Sequence, residues 1–200
     1  MKLYGAEASG NCYKIRLFAS LHNIDYEDSV VDLQRQEHKS PAFLDVNPLG
    51  QIPILDDDGI IIRDSQAILI YLAGKISARD FWPDNTIDQA EITQWLSFAA
   101  REMFIGCAIA RAILKFKRPL DLDAAQKLAI TSLEHLEGHL SENDWLALGR
   151  PTIADIAVYP YAALVWEGDV SLTLYPNLRN WFDRVETLPG YQPMSGLPAP

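Results

Sequence analysis

The stretch Asn47-Pro48-Leu49-Gly50-Gln51-Ile52-Pro53-Ile54-Leu55, followed shortly by Asp64-Ser65 at the head of an apolar run, carries residues whose types and spacing can bind an extended peptide. Pro53 falls inside what otherwise reads as a buried strand, where a trans proline would remove a ladder donor. A cis Ile52-Pro53 bond resolves the conflict at a cost of about 0.5 to 1 kcal/mol and turns the Ile52 N–H and C=O outward, where a peptide backbone can pair with them. Ser65 precedes Ala67, Ile68, Ile70, Tyr71 and Leu72 and so lies near a helix N-terminus, whose free N–H groups and dipole attract a carboxylate. Asp64 beside it can meet an ammonium. The chemistry implied is capture of a short peptide with an acid and an amine at one end.

A thiol on such a peptide, with an ordinary pKa of about 8.5, is roughly 3% ionised at neutral pH, and half-ionising it requires about 2 kcal/mol. A hydroxyl hydrogen bond to a charged sulfur supplies about 1.5 to 3 kcal/mol and a helix N-terminus about 0.3 to 1. The donor therefore belongs just before the first helix, where Ser9 stands in Ser9-Gly10-Asn11-Cys12-Tyr13-Lys14. Serine there is also a common helix cap, and the two roles share one position. Asn11 is an alternative donor through its amide N–H. Cys12 is the rival in another chemistry: a cysteine in the first turn of a helix can have a lowered pKa and form a mixed disulfide, or it can be a small buried apolar residue.

The elements that must position these groups follow from periodicity. Lys2-Leu3-Tyr4 reads as a strand, Ile15, Leu17, Phe18 and Leu21 as one face of a helix, Tyr26 to Val31 as a second strand and residues 36 to 45 as a short helix. Gln51 to Leu55 and Ile60 to Arg63 form a hairpin turning at Asp58-Gly59, and residues 65 to 76 a third helix. The order is βαβαββα, an α/β unit whose four-stranded sheet must be mixed, because the strand-helix-strand crossover demands parallel strands and the hairpin antiparallel ones. Residues 77 to 87 break periodicity around Pro83 and read as a linker. Beyond it the pattern is helical throughout, with Ile92, Trp95, Leu96, Ala99 and Met103 on one face and Leu128, Leu133, Leu136 and Leu140 on another. Thr152-Ile153-Ala154-Asp155 is a capping box, so Asp155 is read as structural. The tail from Leu188 to Pro200 is proline-rich and expected to be irregular.

In order and spacing, these motifs resemble the cytosolic glutathione transferases over nearly the whole chain, in particular the serine-type bacterial, theta, phi and zeta branches. The resemblance implies a thioredoxin-like glutathione-binding domain over residues 1–76, a linker over 77–87 and an all-helical bundle with the electrophile pocket over 88–200. It implies that His38, Lys39 and Gln51 meet the glycine end of glutathione, Ile52 with Pro53 the cysteinyl backbone, and Asp64 with Ser65 the γ-glutamyl end. Relatives often have the longer Glu in place of Asp64. Met103, Phe104, Cys107, Ala108, Arg111 and Trp166 are the candidates for the electrophile pocket. The resemblance further implies a homodimer and a role in detoxification.

Composition narrows the classes of partner. A net charge of −10 disfavours nucleic acid and anionic membrane surfaces, so local cations must recruit an anionic peptide, and Lys14, Arg16, His38 and Lys39 cluster early in the chain. No apolar stretch reaches the roughly 20 residues that span a bilayer. The chain has two cysteines, Cys12 and Cys107, far apart, and no recognisable secretory segment opens it, so a cytoplasmic setting is expected. His135 and His139 form an i,i+4 pair without a third ligand nearby, so no metal is expected. The leading reading is a transferase that adds the glutathione thiolate to small apolar electrophiles. A glutathione-dependent thiol or peroxide reductase using Cys12, and a non-catalytic glutathione-binding module, are the alternatives.

Overall fold

In the computed structural model, which describes residues 1–194 and Leu197, strand β1 (Lys2–Gly5) lies at the centre of the first half of the chain. Leu3 on it is fully buried, whereas Tyr4 on the opposite face meets Phe43 edge-on at 6.5 Å, the period-two alternation of a strand covered on both sides. Helix α1 (Gly10–Leu21) follows, with Ser9 as its cap: the Ser9 hydroxyl accepts the Cys12 N–H at 3.3 Å. Strand β2 (Glu27–Val30) returns parallel to β1.

The single helix expected over 36 to 45 is divided. A short 3₁₀ turn, Glu37–Lys39, precedes helix α2 (Pro41–Val46), and Ser40 between them is extended. Pro41 is the reason, since its ring disfavours helical backbone in the residue before it while suiting the first position of a new helix. Strands β3 (Ile54–Asp57) and β4 (Ile60–Arg63) pair antiparallel around Asp58-Gly59, whose φ angles of 52° and 89° give the left-handed turn that matches strand twist. The strand expected from Gln51 begins only at Ile54, because Pro53 has no N–H to give a neighbour. The sheet is mixed, in the order β2-β1-β3-β4. Helix α3 (Ser65–Lys75) completes the unit, and its cap is Asp64, which accepts the N–H groups of Gln66 and Ala67.

The regular elements of the rest of the described chain are all helical: α4 (Thr86–Ala100), a π-turn (Phe104–Ala108), α5 (Ile109–Phe116), α6 (Leu122–Leu140), α7 (Ile153–Ala163), a 3₁₀ turn (Val165–Gly168) and α8 (Pro176–Glu186). Every residue of α7 is buried, so it serves as the central post of this half. Its start is the expected capping box, with Thr152 N–H donating to Asp155 at 2.8 Å and the Thr152 hydroxyl accepting the Ala154 N–H at 3.2 Å. Asp155 also takes the Leu146 N–H and the Trp181 indole N–H, which ties α7 to α8 and to the preceding loop.

One apolar cluster runs through both halves, from Leu3, Phe18 and Leu69 to Ile92, Met103 and Trp181. The segment read as a linker takes part in it: the Phe81 ring lies 5.9 Å from Phe18 and 4.7 Å from His22, and the Phe81 carbonyl accepts the Ile153 N–H. From Leu188 to Met194 the described tail has no helix or strand, and Tyr13 and Ser20 of α1 donate to the carbonyls of Gln192 and Gly190, both at 2.6 Å. The end of the tail, residues 195, 196 and 198–200, lies outside the described residues. No described helix is long and apolar enough to cross a membrane.

Candidate functional site

A cavity of 570 Å3 opens where the first turn of α1, the segment before β3 and the start of α3 face α4 and the π-turn. That size suits a small peptide or cofactor. Its lining includes Asn11, His38, Lys39, Gln51, Ile52, Pro53, Asp64 and Ser65 from the first half, and Ala99, Ala100, Phe104 and Arg118 from the second. The residues expected to hold the backbone and the two ends of glutathione are thus brought together on this lining, with Asn11, whereas Ser9 is not among the lining residues.

Local structure explains how. The Ile52-Pro53 peptide is cis. Asn47, itself buried, braces the loop before it: its amide donates to the Gln51 carbonyl at 2.9 Å, and its carbonyl oxygen accepts the Leu49 N–H at 3.2 Å. Gly50 has a φ of +56°, and a Cβ there would come within 2.7 Å of the His38 carbonyl. Only glycine allows this loop to lie against the 3₁₀ turn. Lys39 fastens the same contact, its Nζ donating to the carbonyls of Leu49 at 3.3 Å and Gly50 at 3.0 Å.

At the opposite end, Asp64 uses one oxygen, Oδ1, for both capping bonds, at 3.0 and 3.1 Å, and its Oδ2 remains available to a cation. Ser65 is buried, with its hydroxyl 2.6 Å from the side-chain amide of Gln66. An α-carboxylate placed at the start of α3 would meet the helix dipole, with Asp64 Oδ2 beside it for an α-ammonium.

The thiol-facing end is where the sequence left alternatives. Ser9, partly buried, caps α1, and Asn11 on the first turn lines the cavity. Cys12 is corrected by its position. The side chain is wholly buried between α1 and β1, with Sγ 3.0 Å from where a Cβ on Gly5 would be. Burial raises the thiol pKa, outweighing the opposing bonds from Ser9 and Ala6 and the charge of Arg16. A protonated, enclosed thiol is poorly placed to attack a disulfide.

Several electrophile-pocket candidates also lie elsewhere. Met103 and Cys107 are fully buried in the core, where burial pushes the Cys107 thiol up to about 12, and Ala108 is buried beside them. Arg111 is 2% exposed and ion-paired with Glu167, which also binds Lys115. Trp166 is exposed on the 3₁₀ turn after α7 and does not line this cavity. Only Phe104 of that group lines it. Helical spacing put these residues in the helical half, but periodicity does not say which face meets the core and which the cavity.

The early cluster of cations separates too. Lys14 is buried under the Tyr161 ring, 5.4 Å from its centroid, and Arg16 binds Asp28 at 3.0 and 3.1 Å. Besides His38 and Lys39, the basic residues on the cavity are Arg63 and Arg118, which the sequence reading did not single out. Arg63 could have been found as the residue before the Asp64-Ser65 cap. Arg118 had no local signal, since it follows an amphipathic helix and reaches the cavity only through the fold.

Comparison with known proteins agrees with this geometry. The N-terminal domain model of glutathione S-transferase matches residues 8–75 and the C-terminal domain model residues 108–184. A theta-1 glutathione S-transferase of Bos taurus is 32% identical over 203 residues, covering 95% of this chain and 84% of its own. Among solved structures, a possible glutathione S-transferase from Rhodopseudomonas palustris is 37% identical with a TM-score of 0.89, over 98% of both chains. A glutathione S-transferase from Pseudomonas fluorescens is 34% identical with a TM-score of 0.91, over 96% of this chain and 98% of its own.

Proposed function

The chain belongs to the glutathione S-transferase family, and on that premise we propose that it joins the glutathione thiolate to small apolar electrophiles at the cavity between its two halves. The observation that supports this most is the joining of three parts on one wall: the Ile52-Pro53 backbone, the Asp64-Ser65 start of α3 and Asn11 on the first turn of α1. Glutathione laid along that wall puts its γ-glutamyl end at Ser65 and Asp64, its cysteinyl backbone at Ile52 and its glycine end at Gln51, His38 and Lys39. Its sulfur then points to the N-terminus of α1.

Ser9 is the proposed donor to the thiolate. Its hydroxyl oxygen accepts the Cys12 N–H, and its proton, within reach of the buried Cys12 sulfur, would turn to the glutathione sulfur when the peptide is bound. One such bond, at about 1.5 to 3 kcal/mol, covers the roughly 2 kcal/mol that half-ionisation requires. Once ionised, the sulfur needs an electrophile held near it, and Phe104 with Ala99 and Ala100 offers the apolar surface for that. The Asn11 amide is the second reading, favoured by its place on the cavity lining. The cytoplasm and a homodimer belong to the same proposal.

The test is the thiolate ultraviolet absorbance of bound glutathione against pH, in the wild type and in Ser9→Ala and Asn11→Ala. A depressed pKa that returns toward the free value only in Ser9→Ala supports the hydroxyl. Reversion only in Asn11→Ala transfers the role to the amide. If bound glutathione keeps its free pKa in the wild type, the chain is a binding module and the proposal fails.

A further inference from the structure

We propose that Arg118 is a carboxylate-binding residue which reaches across from the helical half and, with Lys39, holds the glycine carboxylate of glutathione. This rests on the glutathione reading of the cavity and adds a charge at the end lined by His38 and Lys39, away from Arg63, which stands beside Asp64 at the start of α3.

The argument begins with the charge balance of the site. In a protein of net charge −10, the cavity lining holds His38, Lys39, Arg63 and Arg118 against a single carboxylate among the described residues, Asp64. Asp64 lies at the start of α3, so the end lined by His38 and Lys39 has no acid of its own. Neither of those two residues supplies a fully free cation. Lys39 already spends donors on the carbonyls of Leu49 and Gly50. His38 has its Nδ1 buried without a hydrogen-bond partner among the described residues, and burial, with the charges of Lys39 and Arg118, holds its pKa below the ordinary value. At neutral pH its imidazole is uncharged and acts as a hydrogen-bonding group.

Arg118 differs on both counts. It lines the same cavity as His38 and Lys39, its guanidinium makes no ion pair among the described residues, and its charge is among those that lower the His38 pKa. Its backbone is anchored in a tight loop: Lys117 closes α5 in the left-handed conformation, the Arg118 N–H donates to the Ala112 carbonyl at 3.3 Å, and its carbonyl accepts the Leu120 N–H at 2.9 Å. The side chain itself is exposed at the mouth of the cavity, and a planar guanidinium there suits a carboxylate better than a lysine does, because two parallel N–H groups can engage both oxygens.

The experiment compares S-methylglutathione with its glycine monoethyl ester, which differ only in the charge at that carboxylate, by calorimetry on the wild type, Arg118→Gln and Arg118→Lys. The expected result is that Arg118→Gln weakens the free acid about fivefold, leaves the ester unchanged, and that Arg118→Lys retains part of the preference. Equal loss with both ligands, or loss with neither, overturns the proposal. It is also overturned if Arg118→Gln spares both ligands but lowers kcat/KM for iodoacetate and not for iodoacetamide, since the cation then serves the electrophile. Absence of any S-methylglutathione binding by the wild type defeats the glutathione reading itself, and this proposal with it.

Discussion

Arg111 donates from Nη1 to the Ala8 carbonyl at 2.9 Å, so a buried cation of the helical half holds the residue just before Ser9. The same guanidinium binds Glu167, whose carboxyl is pushed up by burial but held below the usual range by the stronger combined pull of Lys115 and Arg111. Arg111→Ala would leave Glu167 with Lys115 alone and release the turn that carries Ser9. We expect a loss of about 3 kcal/mol in chemical denaturation and a fall in kcat/KM beyond tenfold with 1-chloro-2,4-dinitrobenzene. Unchanged stability would show that Glu167 is adequately paired by Lys115.

Gly10 gives the first turn of α1 its seat on α7. A Cβ at Gly10 would stand 2.6 Å from Cε1 of Tyr161, too close for any side chain unless the ring or the turn moves. Gly10→Ala should cost about 1 to 3 kcal/mol and lower kcat by displacing Ser9 and Asn11. Adding Tyr161→Leu should recover part of both. If Gly10→Ala is as active and stable as the wild type, the ring gives way freely and the contact does not position the site.

Much of this was legible in sequence because it depends on local chemistry. The strand-turn-strand around Asp58-Gly59, the cap at Ser9, the helix start at Ser65 and the Thr152-Asp155 box are set by residues within a few positions of one another. The expected glutathione wall also gathers short-range motifs, and all of it reaches one cavity. What sequence did not resolve were orientations fixed by the other half of the chain. Cys12 and Asn11 are neighbours on one turn, yet one points into the core and the other lines the cavity. Lys14 looked like a recruiting cation but is covered by Tyr161, and Arg118 enters through a loop far along the chain. Periodicity identifies a face, and only packing says what that face meets.

Asp155 should make stability depend on pH. Burial pushes its carboxyl up to about 6, against the pull of the Thr152 and Leu146 N–H groups, the Trp181 indole and the Thr152 hydroxyl. A raised folded-state pKa means that this contribution is full below the unfolded value of 3.8 and is lost as pH rises through about 6. The difference in unfolding free energy between wild type and Asp155→Asn should therefore shift by up to about 3 kcal/mol from pH 4 to pH 7, with the wild type relatively better in acid. Parallel pH curves for the two proteins would sink the idea.

Lys14 is expected to work against the fold. Its ammonium is fully buried without a hydrogen-bond partner among the described residues, 5.4 Å from the Tyr161 ring centre. Burial lowers its pKa to about 7, with the charge of Asp64 opposing only in part. Between about pH 7 and the unfolded value of 10.5 the unfolded chain binds the proton more tightly than the folded one, so stability from this site rises with pH across that window. Lys14→Met keeps the length of the side chain and removes the charge. It should therefore raise stability by about 2 kcal/mol at pH 7, with the gain fading toward pH 10. The pH dependence separates this from a simple packing gain, which would be the same at both ends. Should Lys14→Met instead lower stability at pH 7, the ammonium must have an interaction that its contact with Tyr161 and the distant charge of Asp64 do not account for.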